Sequence, residues 1–461
     1  MPDTSVRSLY RLRLAPGLAA LLMGAALGSQ AACVDEDKFD TRSGGTAKAG
    51  EAAAPAMHPR TQLQNLVAES LARNQGVVAA RLLAEAALTD VEEAKASKLP
   101  TASVQAGLTP SFNKISNTTA DGNGRQVEAR ASVSVSQAIY DGGRGDRMID
   151  WRQQQAEAAR LGLLSTQEQI TLSTTSLAFE RSRFRMQAVI YGQQVRKMSC
   201  LVEALETIVA ADKGRMSELV QAKKQLQMSE LQQSQAVSQA RQVEAKLRRM
   251  VGDGLPATEG MSTLLLAVPD LNEVLTNAER AAEIVQLDAN ANAAREMARV
   301  VEAATKPQVS WNVGGSGSAL AGGAAQKSAG LNAGITVTIP LLNKSIDYSV
   351  QSARKRAEAA KAQRADVLET RRQRIVEVHE QASNAFERVG RVALVLRDSD
   401  RLRNFTLQQW QQLGRRSLFD VMAAESDHYN LRVQYVNALF DGEQMNATLL
   451  SLGSGLRNWL Q

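Results

Sequence analysis

The sequence predicts a mostly α-helical protein with a small β part, in which long coiled helices are arranged in two matched halves. Aromatic residues make up 4% of the 461 residues. This is low for a compact core but suits helices that pack along narrow seams. Apolar residues recur every seven positions over two long stretches without proline. In addition, one order of elements, namely helix, two strands, long helix and shorter helix, occurs twice.

In the first half, the change from strand to helix lies within 127–158. From Ala129 to Val135, apolar or small residues alternate with polar ones, as in a strand with one wet face. After Asp141 the pattern becomes helical, and a helix over about 144 to 212 would be about 100 Å long. Its apolar residues at seven-residue spacing are Ile149, Ala156, Leu163, Ile170, Leu177, Phe184, Tyr191, Met198 and Leu205.

The other elements of the first half follow from the same patterns. A helix is predicted over 61–98, and a first short strand follows over 102–108. Polar residues at 112–126 indicate a turn-rich loop that joins the two strands. A tight reversal at 212–215 leads to a second helix over 217–250.

The second half repeats this order. Residues 272–305 are predicted to be helical, strands follow over 309–313 and 331–339, and a second long helix covers 345–412. A shorter helix runs to about Trp459. The predicted organisation is a signal peptide at 1–32, a flexible tether at 33–60, a first repeat at 61–256, a linker at 257–270 and a second repeat at 271–461.

The beginning of the chain predicts export. Three arginines precede an apolar run over 14–28, and Ser29-Gln30-Ala31 is a small-x-small cleavage pattern. Cys33 follows this pattern, so a lipid-anchored N-terminus is an open alternative. Cys200 lies alone in the long helix, and we expect no disulfide between it and Cys33.

The charge and the hydropathy of the sequence limit the kinds of partner that the chain could have. The net charge of +6 is spread among acidic residues and glutamines, which argues against a nucleic-acid-binding face. After the signal peptide, no apolar run reaches the roughly 18 residues that a transmembrane helix needs, so any membrane crossing would use strands. Two isolated hairpins would leave open edges, so strands in lipid would require neighbouring chains.

Local motifs accompany the duplicated layout: prolines before strands at Pro100 and Pro307, Tyr140-Asp141-Gly142-Gly143 before a long helix, and G-x-x-S turns at Gly214 and Gly414. Over about 61–459, this pattern resembles the TolC-like outer membrane channels of tripartite efflux pumps and type I secretion systems. The resemblance implies a homotrimer in which four strands per chain form a twelve-stranded outer membrane β-barrel. A periplasmic tunnel of helices about 100 Å long would continue the barrel, with 257–270 as an equatorial linker.

The resemblance and the strand alternation predict which residues face lipid. The lipid-facing residues are predicted to be Val133, Val135, Val309, Trp311, Val313, Ile335, Val337 and Ile339. The lumen-facing residues are predicted to be Ser310, Asn312, Thr336 and Thr338.

By resemblance, the two helix reversals form the periplasmic tip, where the pore narrows and an adaptor docks. The tip residues are predicted to be Gly214, Arg215, Ser217 and Glu218 in the first reversal, and Gly414, Arg415, Arg416, Ser417 and Asp420 in the second. The position of Asp420 resembles the one where three carboxylates, one from each chain, form a ring in this family. The position of Arg416 resembles the one of an arginine that tethers the closed tip. Ser417 and Asp420 are also a helix-capping pair. Ala423 stands where a second acidic residue would be expected.

The resemblance implies a passive exit duct, with a periplasmic adaptor, an inner membrane ABC or RND transporter and outer membrane lipids as partners. The run at 214–222 resembles the type I protein secretion branch, and efflux of small molecules such as drugs or metals is the alternative. A periplasmic adaptor or structural coiled coil is an alternative of another class. The sequence contains no grouping of nucleophile, base and orienting residue, and its three histidines lack ligand spacing. We therefore expect neither an enzyme nor a cofactor or metal.

Overall fold

The structure is a computed structural model that describes residues 58–117, 120–255, 261–321, 326–413 and 416–461. The predicted signal peptide, Cys33, Gly414 and Arg415 lie outside the described residues. The elements in chain order are α1 (Pro59–Arg73), α2 (Gln75–Ala96), β1 (Thr101–Asn117), β2 (Ala120–Tyr140), α3 (Arg144–Ala211), α4 (Met216–Val251), α5 (Leu271–Ala278), α6 (Ala282–Ala303), β3 (Gln308–Ala321), β4 (Gln326–Thr338), α7 (Lys344–Leu413), α8 (Leu418–Leu452) and α9 (Leu456–Leu460).

The chain divides into two compact units, and each takes segments from both halves of the sequence. The reversal unit contains the ends of the long helices that lead into the two helix reversals. The sheet unit contains all four strands. The reversal unit consists of the described residues of Met1–Leu66, Thr174–Val268 and Glu380–Asn446, and the sheet unit of those of Val67–Ser173, Pro269–His379 and Ala447–Gln461.

The two long helices are confirmed, and they begin with matching caps. Asp141 accepts backbone hydrogen bonds from Gly143 N at 3.0 Å and Gly145 N at 2.6 Å, just before α3. Asn343 accepts one from Ser345 N at 3.1 Å, just before α7. Each side chain satisfies N–H groups that a helix start leaves unpaired. None of the described helices is long and apolar enough to cross a membrane.

The helices that precede the strands are each divided, contrary to the prediction of single helices over 61–98 and 272–305. Asn74 separates α1 from α2, because its side chain accepts hydrogen bonds from Gly76 N at 2.8 Å and Val77 N at 3.2 Å and so starts a new helix. In the second half, the extended backbone of Ala281 separates α5 from α6. The apolar spacing continues across both breaks, so it could not reveal them.

The strands are longer than predicted and form one sheet. β1 extends to Asn117 and β2 begins at Ala120, so the prediction of a loop over 112–126 is wrong. The order is β1-β2-β3-β4, with every neighbouring pair antiparallel. The expectation of two isolated hairpins is also wrong, since β2 pairs with β3. Backbone ladders form without regard to side-chain polarity, which is why polar residues did not end the strands.

The register places the alternating apolar residues of all four strands on one face. Val104 pairs with Val133, and Trp311 pairs with Ile335. Val135 pairs with Val313 across β2 and β3, which joins the two hairpins. Because directly paired residues point to the same side of a sheet, the apolar sets of the four strands combine. Ile339, predicted to be the last apolar residue of the fourth strand, instead follows the end of β4.

Cys200 on α3 is disulfide-bonded, contrary to the expectation of no disulfide between Cys200 and Cys33. Its partner lies outside the described residues. The position of Cys200 within a long helix did not exclude this bond, because a helical side chain can contact residues far away in the sequence.

Candidate functional site at the helix reversals

The first reversal joins α3 to α4 through a short 3-10 turn. Asp212 caps this turn, since its Oδ1 accepts a hydrogen bond from Gly214 N at 3.0 Å. Arg215 Nε lies 4.0 Å from Asp212 Oδ2. Because α4 begins at Met216, Ser217 lies within its first turn and does not cap it. Glu218 supplies the negative charge that favours a helix start.

The second reversal leads into α8 through a reciprocal capping box. Asp420 Oδ2 accepts a hydrogen bond from Ser417 N at 3.2 Å, and Ser417 Oγ accepts one from Asp420 N at 3.2 Å. Arg416 Nη1 lies 3.9 Å from Asp420 Oδ2, and its Nε donates to Gln409 Oε1 at 3.2 Å. The Arg416 and Asp420 side chains are 52% and 45% exposed, so their ion pair contributes little to stability. The predicted capping role of Ser417 and Asp420 is confirmed.

One apolar cluster brings the two reversals together in the reversal unit. Leu219 follows the first reversal, Leu418 follows the second, and both are buried in this cluster. The other buried members are Met198, Leu201, Val202, Leu205, Val209, Ala222, Leu407, Val421 and Met422. They come from α3, α4, α7 and α8, so the predicted tip residues lie at one end of a four-helix packing.

Next to this cluster lies a buried group of charges that sequence reasoning missed. Glu425 on α8 is 1% exposed. Its carboxylate lies 3.8 Å from Lys197 Nζ of α3 and 3.3 Å from Arg403 Nη1 of α7. Burial lowers the pKa of Arg403, but attraction by Glu425 and by Asp400 outweighs burial, so the pKa lies above its ordinary value. Loss of the Glu425 charge would leave two cations with less compensation in a buried place, which is strongly unfavourable.

A second buried polar group ties α8 to the segment before α5. Glu443 Oε1 accepts a hydrogen bond from Leu264 N at 3.2 Å, and Asn446 Nδ2 donates to Leu265 O at 2.6 Å and Ala267 O at 3.1 Å. Glu443 is fully buried. Burial raises its pKa to about 8, although backbone hydrogen bonds from Leu264 and Leu265 act in the opposite direction. The carboxyl group is therefore mostly protonated at neutral pH.

The sequence did contain a signal for these two groups. In α8, the buried polar residues are Glu425, His428, Arg432, Glu443 and Asn446. Starting from Val421, the steps between these residues are 4, 3, 4, 11 and 3, each close to a whole number of helical turns, so polar side chains occupy the stripe that usually carries apolar ones. A search for apolar periodicity alone passes over such a stripe.

The fold of this chain is similar to the folds of several solved membrane channel and outer membrane proteins. CusC shares 15% identity and a TM-score of 0.76, with 91% of this chain and 99% of CusC covered. CmeC from Campylobacter jejuni shares 14% identity and a TM-score of 0.73, covering 92% and 93% of the two chains. VceC from Vibrio cholerae shares 17% identity and a TM-score of 0.70, covering 86% and 97%. The fold is thus that of this class of channel proteins.

Residues 66–253 also match the family described as outer membrane efflux protein. No curated protein matches the chain. The family match and the shared fold confirm the resemblance to TolC-like outer membrane channels. Both findings agree with the predicted location in the outer membrane.

Proposed function

We propose that three copies of this chain assemble into an outer membrane exit duct with a twelve-stranded β-barrel. The observation that carries this proposal is the four-stranded sheet, whose apolar residues share one face and whose outer strands are β1 and β4. In lipid, the free backbone edges of β1 and β4 would be prohibitive. Pairing β1 of one copy with β4 of the next removes both edges, and the predicted lipid-facing residues then form a continuous outer band.

The helix reversals form the periplasmic tip in this proposal. Three copies of Asp420 would surround one axis, and like charges in a narrow passage favour cations. This role is compatible with capping, because the Asp420 side chain is about half exposed while it caps α8. Within the described part of the chain, Arg416 makes one weak ion pair, with Asp420, and one hydrogen bond, to Gln409, so it can exchange partners when the tip opens.

Opening of the duct is coupled by a periplasmic adaptor to an inner membrane ABC or RND transporter. We propose protein secretion of type I as the transport process, because the run at 214–222 resembles that branch. Efflux of small molecules is the second candidate, and the description of the matching family favours it. Deletion of the gene separates the two candidates: loss of a secreted protein supports the first, and greater sensitivity to drugs or metal ions supports the second.

Conductance of the purified protein in planar bilayers tests the duct and its tip. Asp420→Asn keeps a capping oxygen but removes the charge, so we expect a lower preference for cations than in the wild type. Asp427→Asn, at an exposed position of the same helix, is the matched control and should leave selectivity unchanged. A protein that stays monomeric and forms no channels would overturn the duct. Trimeric channels whose selectivity is the same in Asp420→Asn would overturn only the role of Asp420.

A further inference from the structure

A groove in the sheet unit lies where α3 and α7 begin and α6 ends. It is formed by the first turns of α3 and α7, with α6 contributing its third wall, and its volume is about 890 Å³. Trp151 of α3 and Tyr348 of α7 supply aromatic rings, and Met297 and Val301 of α6 supply apolar surface. This volume lies within the range of roughly 300 to 1,000 Å³ that is usual for small-molecule sites.

The charge that lines the groove is positive. Among the described residues that line the groove, Arg356 of α7 is the one cation, and none is an Asp or Glu. The two preceding basic residues are paired, since Arg354 contacts Glu302 and Lys355 Nζ lies 2.8 Å from Glu358 Oε2. Among the described residues, no ion pair within 4.0 Å involves Arg356. The guanidinium therefore presents its donors to solvent beside an aromatic surface.

The aromatic rings are in accessible positions. Tyr348 is 68% exposed. Trp151 is partly buried, and the Arg152 guanidinium lies 4.5 Å from its ring centroid, a cation–π contact that holds the indole. Arg152 is itself compensated by Asp90, at 3.4 Å. The groove thus combines a held aromatic ring, an exposed aromatic ring and one uncompensated cation.

We propose that this groove binds small organic anions with an aromatic or aliphatic body. The apolar body would lie against Trp151, Met297 and Tyr348, and the anionic group would pair with Arg356, whose planar fork suits carboxylate, sulfonate or phosphate oxygens. The inference goes beyond the exit duct, because it requires neither a particular cargo nor channel opening.

Two fluorescent probes with the same aromatic body test the charge requirement. Anilinonaphthalene sulfonate carries an anionic group, and N-phenylnaphthylamine does not. Energy transfer from tryptophan to the probe reports binding near Trp151 and discriminates against probe dissolved in detergent. For Arg356→Gln, we expect about tenfold weaker binding of the sulfonate, which is the loss typical of a charge-assisted hydrogen bond, and an unchanged affinity for the neutral probe.

Two further variants complete the test. Lys361→Gln removes an exposed cation from the same helix outside the groove and should change neither affinity. Trp151→Phe should abolish most of the energy transfer while the other three of the four tryptophans remain. The inference is overturned if Arg356→Gln binds the sulfonate as the wild type does, if Lys361→Gln weakens it equally, or if Trp151→Phe leaves the transfer unchanged.

Discussion

Substitution of Glu443 by glutamine should make the protein less sensitive to alkaline pH. The Glu443 carboxyl is fully buried, and its pKa rises from an ordinary 4.5 to about 8 in the folded chain. The folded state therefore holds a proton that the unfolded chain releases above pH 4.5. The stability associated with this neutral carboxyl is complete below about pH 4.5 and is lost as the pH rises through about 8.

The magnitude follows from the two pKa values. Each pH unit between them lowers the free energy of unfolding by about 1.4 kcal/mol, which gives about 5 kcal/mol in total. Between about pH 5.5 and 8.5, the loss is about 3 kcal/mol per chain. The glutamine side chain in Glu443→Gln stays neutral and keeps an oxygen that can accept the hydrogen bond from Leu264 N. The variant should therefore not show this loss of stability between the two pH values.

Denaturant unfolding followed by circular dichroism at both pH values measures this difference. Stability of the wild type should fall relative to Glu443→Gln by about 3 kcal/mol as the pH is raised. Asp427→Asn, which removes an exposed carboxylate from the same helix, should follow the wild type. If wild type and Glu443→Gln lose stability in parallel, the reasoning about the buried carboxyl fails.

Two glycine predictions test local geometry by thermal unfolding. Gly142 and Gly143 both have positive φ, of 69° and 84°, so alanine strains either position by about 1 to 2 kcal/mol. A Cβ at Gly142 would also lie 2.6 Å from Lys306 Cβ, whereas one at Gly143 would have no atom of the described residues within 4 Å. Gly142→Ala should therefore destabilise more than Gly143→Ala, and equal losses would contradict the clash. Gly442→Ala would place Cβ 2.8 Å from Phe386 Cζ and should cost about 1 to 3 kcal/mol. Adding Phe386→Leu should recover part of that loss, and strictly additive losses would argue against this contact.

Local patterns in the sequence determined much of the fold. Seven-residue spacing predicted both long helices because it reports which side of a helix is buried. Strand alternation predicted the shared apolar face, and Ser417 with Asp420 predicted a cap that the hydrogen bonds confirm. These signals succeed because each depends on residues within a few positions of one another.

The tertiary structure alone decided how distant segments combine. Pairing of β2 with β3 joins residues far apart in the sequence, such as Val135 and Val313, which are 178 positions apart, and turns two hairpins into one sheet. The ionisation of Glu443 likewise depends on Leu264 and on burial by packing, neither of which is visible next to it in the chain. Periodicity shows that a face is buried but does not show what buries it, so long-range partners and the electrostatics they create emerge only when the helices and strands are packed.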